Sequence, residues 1–285
     1  MARELSRPSA NGIPKRRADC PTGDGAFTPV PLDCREMSHL DENEAFQEWR
    51  LLRATSKDAL GLITLYELAA SANGRKANEL NREERERLQA LALPVMYPGF
   101  QEIPASERPD HDPIFLVPYD AAWPIRFVEI RDKLLARLKL TPVRVDHVGS
   151  TAVPGLPAKP VIDMLVCVPD PDEEAAYVPA IESLGVQLRS RDDQHRFFRP
   201  FAGLPRDLHV HVCQAGSDWE RRHILFRDYL RAERAARELY AADKHTNAVR
   251  WADDRIAYAE AKTACIDELL ARADAWARST GWSID

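Results

Sequence analysis

An α/β (α+β) fold, a mixed sheet flanked by helices with a helical extension in front of it, is what this sequence predicts. Three observations carry the prediction. Short apolar runs bounded by Gly, Pro and Asp recur between residues 114 and 214, which is the texture of strands and turns. One of them, KPVIDMLVCV, is apolar on both faces apart from Asp163, as a central strand is. Beyond Gln214 the chain reads as amphipathic helix to its end, so helices cover the sheet.

The elements follow in order. Residues 1–40 are rich in Pro, Ser, Gly and Asp and poor in apolar positions, which predicts a disordered lead-in. Residues 41–94 form a small helical element: Phe46, Trp49 and Leu52, then Leu60, Ile63 and Leu68, recur at helical spacings. Asn81 followed by Glu83 and Glu84 marks a further helix start, with acids in its first turn. Packing is the expected role of this element. Residues 95–114 are a proline-rich linker, whose Tyr97 and Phe100 are expected to be buried. The main domain spans residues 115–277. It opens with a short strand, IFLVPYD, and an amphipathic helix over 122–138. VRVDHVGS is a strand and turn, and DEEAAYVPAIESLG is a helix stopped by Gly185. VQLRSR, HRFFRPF and DLHVHVCQ are three further strands, followed by two long helical runs.

Bulk properties narrow the function classes. The 285-residue chain is 45% hydrophobic, enough for a core, but no run reaches the roughly 20 apolar residues of a membrane helix. Basic residues near the start have no apolar stretch behind them, so a secretory signal is not expected. Cys20, Cys34, Cys167, Cys213 and Cys265 are odd in number and lack paired spacing, which argues against a disulfide framework or a cysteine zinc site. A cytoplasmic protein with no membrane partner is the expectation. The net charge of −6 removes a global drive toward nucleic acid, although 39 Lys and Arg allow a local basic patch.

The chemistry concentrates in HVGSTAVPGLPAKPVIDMLV, residues 147–166. Gly149 permits a tight turn after a strand, and Ser150 and Thr151 follow with hydroxyls and backbone N–H groups that can cradle phosphate oxygens. Turn hydrogen bonding is the competing role for Ser150. Asp163 lies in an apolar strand, where a carboxylate must be paired, hydrogen-bonded or metal-bound. Lys159 stands at the mouth of the same strand as a phosphate contact. His209 and His211 share a strand face. Lining a pocket as proton-transfer groups ranks ahead of metal binding for the pair. His195, Arg196 and Arg199 read as solvated edge residues. Arg227, Asp228 and Arg231 read as surface ion pairs.

These same residues resemble the GrpB family. HVGSTAVPGLPAKPVIDMLV, VPYDAAWPIRF, DLHVHV, FRDYLR and YAEAK are similar to its signature, and the resemblance covers residues 115–277. It implies a nucleotidyltransferase-like fold. It also implies that Tyr258 and Lys262, which match a YxxxK pattern, reach the pocket. A working two-metal nucleotidyltransferase carries further acids, and here Leu165 occupies the second acidic position while His209 and His211 stand on the neighbouring strand. With Asp163 as its candidate ligand, Mg²⁺ is poorly served by two imidazoles, because it prefers oxygen.

The expected function is a biosynthetic group-transfer enzyme acting on a nucleotide- or phosphate-bearing small molecule, with Asp163, His209 and His211 as catalytic groups. Gly149, Ser150, Thr151, Lys159, Tyr258 and Lys262 would bind the substrate. A second reading follows a likeness in general organisation to the arginine-containing cyclodipeptide synthases of secondary metabolism. There the partner is aminoacyl-tRNA, with Asp192, Asp193 or Asp207 selecting an arginyl side chain and Arg221, Arg222, Arg227 and Arg231 on the tRNA backbone. A non-catalytic nucleotide-binding module is the third.

Overall fold

The computed structural model describes residues 42–55, 60–96, 101–102, 113–138, 142, 144–201 and 204–284. The lead-in, Tyr97 and Phe100 lie outside the described residues. Among the described residues, six strands form one mixed sheet: β1 (Gln101–Glu102), β2 (Arg144–Val148), β3 (Ile162–Val168), β4 (Val186–Arg191), β5 (His195–Pro200) and β6 (Leu208–Gln214), in the order β1-β4-β5-β6-β3-β2. Of these strands β3 and β6 run parallel, and the other pairings among them are antiparallel. β3 is interior, and Met164, Leu165, Val166, Cys167 and Val168 are fully buried there.

Strand alternation gives the sheet two different faces. Met164, Val166, Val210, Val212 and Phe198 pack beneath helices α4 (Ala122–Leu135) and α5 (Val178–Glu182) in an apolar core. The opposite face carries Asp163, His209, His211 and, farther along, Leu165, Cys167 and Cys213 against α6 (Asp218–Ala232). Behind α6 stand α7 (Arg234–Arg250), α8 (Arg255–Ala261) and α9 (Thr263–Thr280).

The N-terminal helices α1 (Glu42–Thr55), α2 (Leu62–Ser71) and α3 (Arg82–Met96) share a second core with the C-terminal helices. Trp49, Leu65, Tyr66 and Leu88 pack with Trp251, Ala257 and Tyr258. Polar links fasten that contact. Glu260 accepts hydrogen bonds from the backbone N–H groups of Leu62 and Ile63, both at 2.7 Å, satisfying two orphan donors at the start of α2. Gly61 leaves room for it, since a Cβ there would stand 2.3 Å from Glu260 Oε1. Buried Arg85 pairs with Asp254 at 3.2 Å, and Asp254 also caps α8 and accepts from the Tyr66 hydroxyl. The helical element therefore buttresses α8, which carries Tyr258.

Several expected elements are corrected. IFLVPYD is not a strand: it makes one isolated bridge, Val117 to Ala158, and otherwise runs as a strap. Pro118 lacks a donor, and apart from exposed Phe115 the apolar residues pack in two cores, Ile114 and Leu116 in the helical one and Val117 and Tyr119 in the sheet one. The first main-domain helix ends at Leu135 rather than residue 138. The region around Tyr177 splits into a 3₁₀ turn and the short α5. The long run after Gln214 breaks at Glu233, whose backbone is extended, and Arg237 bonds the Leu230 carbonyl at 2.8 Å across the break. A two-residue edge strand, β1, lies within the proline-rich linker.

Candidate functional site

Register assembles the site. Asp163 on β3 lies opposite His209 on parallel β6, and His211 is the next residue of β6 on the same face. Asp163 Oδ1 is 3.0 Å from His209 Nδ1 and 3.8 Å from His211 Nε2. The carboxylate keeps 26% of its side-chain surface, so it faces a cleft rather than a core. Burial pushes its carboxyl pKa up, but the His209 hydrogen bond and the adjacent His211 imidazole outweigh that and hold it well below the carboxylate range.

The turn after β2 packs directly on this carboxylate. Gly149 adopts φ 70°, and a Cβ there would lie 2.2 Å from Asp163 Oδ2. Glycine is thus required twice, for the backbone and for the close approach. Ser150 and Tyr240 line the same cavity beside the turn. Thr151 is only 1% exposed; its hydroxyl donates to Val161 O at 2.8 Å and lies 3.0 Å from His147 Nε2. These bonds tie the turn to the approach to β3, which makes Thr151 a brace for the turn. Burial lowers the His147 pKa to about 4, keeping the ring neutral where it stacks on Phe127 at 4.9 Å.

Lysines fill the other side of the cleft. Lys159 Nζ and Lys262 Nζ stand 5.1 and 4.4 Å from the centroid of the Tyr258 ring. Lys244 donates to the Pro157 carbonyl and lies 5.4 Å from the Tyr240 ring centroid. None of the three forms an ion pair among the described residues. Burial lowers Lys159 to about 7, helped by Lys262 and Arg255; burial with Lys262 and Lys159 does the same to Lys244. Burial also lowers Lys262, while Asp163 and Asp243 oppose it.

Two of these groups escape a motif reading. Lys244 shares the buried stripe of α7 with Ala236, Tyr240 and Ala248, and a lysine on an apolar i, i+4 stripe is the signal for it. His195 was expected to be a solvated edge residue and is not. Its alternation with Phe198 turns it to the histidine face, where its Nε2 is 2.9 Å from His211 Nδ1 and its ring stacks on Trp219 at 4.6 Å. Arg196 is likewise buried, held by Asp172 and Glu174. Arg227 departs from the expected surface pairing: it joins Asp146 at 2.7 Å and docks α6 beside the turn, whereas Arg231, 40% exposed, keeps the expected pair with Asp228 at 3.4 Å while also bonding the Ala152 carbonyl at 2.9 Å. Arg221 and Arg222 pair with Asp274 and Asp267, and Asp207 with Arg126.

The donor set does not fit a pair of magnesium ions. Leu165, the next residue on the Asp163 face, is fully buried, and the neighbouring strand presents two imidazoles, leaving one carboxylate where Mg²⁺ wants several oxygens. No helix among the described residues is long and apolar enough to cross a membrane.

Residues 113–272 match the family model described as GrpB protein. A UPF0157 protein of Halalkalibacterium halodurans is 38% identical over 176 residues, covering 61% of this chain and 90% of that protein. The dephospho-CoA kinase of Mycolicibacterium paratuberculosis is 32% identical over 196 residues, 60% of this chain but only 48% of the kinase. The crystal structure of a conserved GrpB protein from Enterococcus faecalis is similar with a TM-score of 0.50 and 31% identity, covering 56% of this chain and 96% of that one.

Proposed function

The chain belongs to the GrpB family, and we propose that it is a group-transfer enzyme that binds a nucleotide- or phosphate-bearing substrate between the Gly149–Ser150 turn and the lysine cluster. The observation that carries this reading is the convergence of Lys159, Lys244 and Lys262 without an ion-pair partner among the described residues. Burying ammonium groups costs several kcal/mol each unless a counter-charge arrives. An anion of two or more charges supplies it, and phosphate oxygens suit lysine as a point charge.

Within the site the roles separate by position. Lys159 and Lys262 neutralise phosphate above the Tyr258 ring, which positions their ammonium groups. Ser150, which lines a cavity with Gly149 and Tyr240, orients the anion at the turn. Asp163, His209 and His211 lie on the adjoining sheet face, where the reacting atoms come to rest. The similar mycobacterial proteins are named for phosphoryl transfer to dephospho-CoA, which agrees with phosphate chemistry; this chain spans about half of their length, so their substrate is not assigned to it. The tRNA-dependent alternative gains no specific observation, since Arg221, Arg222, Arg227 and Arg231 are all engaged within the fold.

Titration calorimetry of the four nucleoside triphosphates and pyrophosphate against wild type and Lys262→Ala tests binding. Binding weakened at least about tenfold by the substitution, the value of one lost charge contact, supports the pocket. Mass spectrometry of bacteria expressing wild type or Asp163→Ala then tests transfer. A product lost in the variant supports an enzyme, binding without any product reduces the protein to a binding module, and no anion binding refutes the reading.

A further inference from the structure

The mismatch with magnesium leaves open what the Asp163 face is built to hold. We infer that Asp163, His209 and His211 bind a single divalent transition-metal ion of the zinc type. One ligand atom from each residue falls within 4.8 Å of the others. The two distances to Asp163 Oδ1, 3.0 and 3.8 Å, bracket the roughly 3.3 Å that separates ligands placed about 2.0 Å from a tetrahedral ion. Two imidazoles and one carboxylate are the donor set that zinc, cobalt and nickel accept and magnesium does not. Three protein ligands leave a fourth position for a substrate oxygen or water.

A second observation is independent of the three ligands. His211 points Nε2 toward Asp163 and is held from behind at Nδ1 by His195 Nε2, 2.9 Å away. His195 is in turn backed by Asp192, at 3.8 Å from its Nδ1, and is stacked on Trp219. A carboxylate behind a histidine behind a ligating histidine fixes ring orientation, as supporting residues of metal sites do. A simple Asp163–His209 pair has no need of that arrangement. His195 is therefore a positioning residue. Whether the ion faces bound phosphate rests on the anion-pocket reading, whereas occupancy of the site does not.

The test strips the protein with chelator, confirms folding by circular dichroism, and titrates Zn²⁺, Co²⁺ and Mg²⁺ by calorimetry. One equivalent of Zn²⁺ is expected, bound at least about a hundredfold more tightly than Mg²⁺. Co²⁺ should give the strong visible absorption of a tetrahedral site. His211→Ala should abolish the Co²⁺ spectrum. His195→Phe, which keeps a ring on Trp219 but removes the nitrogen, should weaken Zn²⁺ about 10–100-fold. His245→Ala, on the exposed face of α7, should change nothing. Equal affinity for Zn²⁺ and Mg²⁺, no binding, or Zn²⁺ affinity indifferent to His211→Ala overturns the inference. Pyrophosphate binding to the stripped protein, and its loss in Lys262→Ala, reports on the anion pocket separately.

Discussion

Replacing Lys159 with methionine should make the protein more stable and less able to bind anions. The side chain titrates at about 7 in the fold and at the ordinary 10.5 unfolded, mainly because it is buried. The unfolded chain therefore holds more protons through that interval, so this lysine destabilises the fold by about 4 kcal/mol at pH 7 and roughly 2 kcal/mol at pH 9. Methionine keeps the length and apolar character of the stem, but loses the interaction with the Tyr258 ring, worth about 1–2 kcal/mol. The net expectation is a gain of roughly 2–3 kcal/mol at pH 7 that shrinks to near zero at pH 9. Urea unfolding of both proteins at the two pH values measures it. A variant less stable than wild type at pH 7, or a difference independent of pH, refutes the account of an uncompensated buried ammonium.

Further outcomes follow from the same geometry. Sulfate, whose charge is constant in this range, should bind more weakly as pH rises from 6 to 8.5, because Lys159 and Lys244 lose their protons through about 7; calorimetry that finds flat affinity contradicts their role. Gly149→Ala should cost about 2–3 kcal/mol, from left-handed backbone strain and displacement of Asp163, and should lower metal and anion affinity together. An unchanged melting temperature would show that the turn relaxes freely. Arg85→Met leaves Asp254 buried without its cation and should cost about 3 kcal/mol in denaturant unfolding, compared with under about 1 for Arg82→Met, which breaks the exposed Arg82–Glu86 pair.

The sequence by itself determined five of the six described strands and the shared face of His209 and His211. Alternation along LHVHVCQ necessarily puts His209 and His211 on one face, and a carboxylate in an apolar strand has few stable environments, so these residues stand out without coordinates. Gly149 was legible as a turn residue, but its second constraint, the approach of Asp163, exists only once β2 and β3 pair with Val148 opposite Asp163. Other features belong to the tertiary structure alone. The break at Glu233 follows no Gly or Pro and lies where α7 folds back to share a core with α6 and α9. His195 joins the cluster because β5 pairs with β6 in a register that places Phe197 opposite His211, and one residue of slip would turn it outward. Lys159, Lys244 and Lys262 come from three separate elements, and nothing local to any of them encodes the other two. Their convergence, and the depressed pKa values it helps to produce, arise from shared burial and mutual repulsion, which depend on distances that only the folded chain defines.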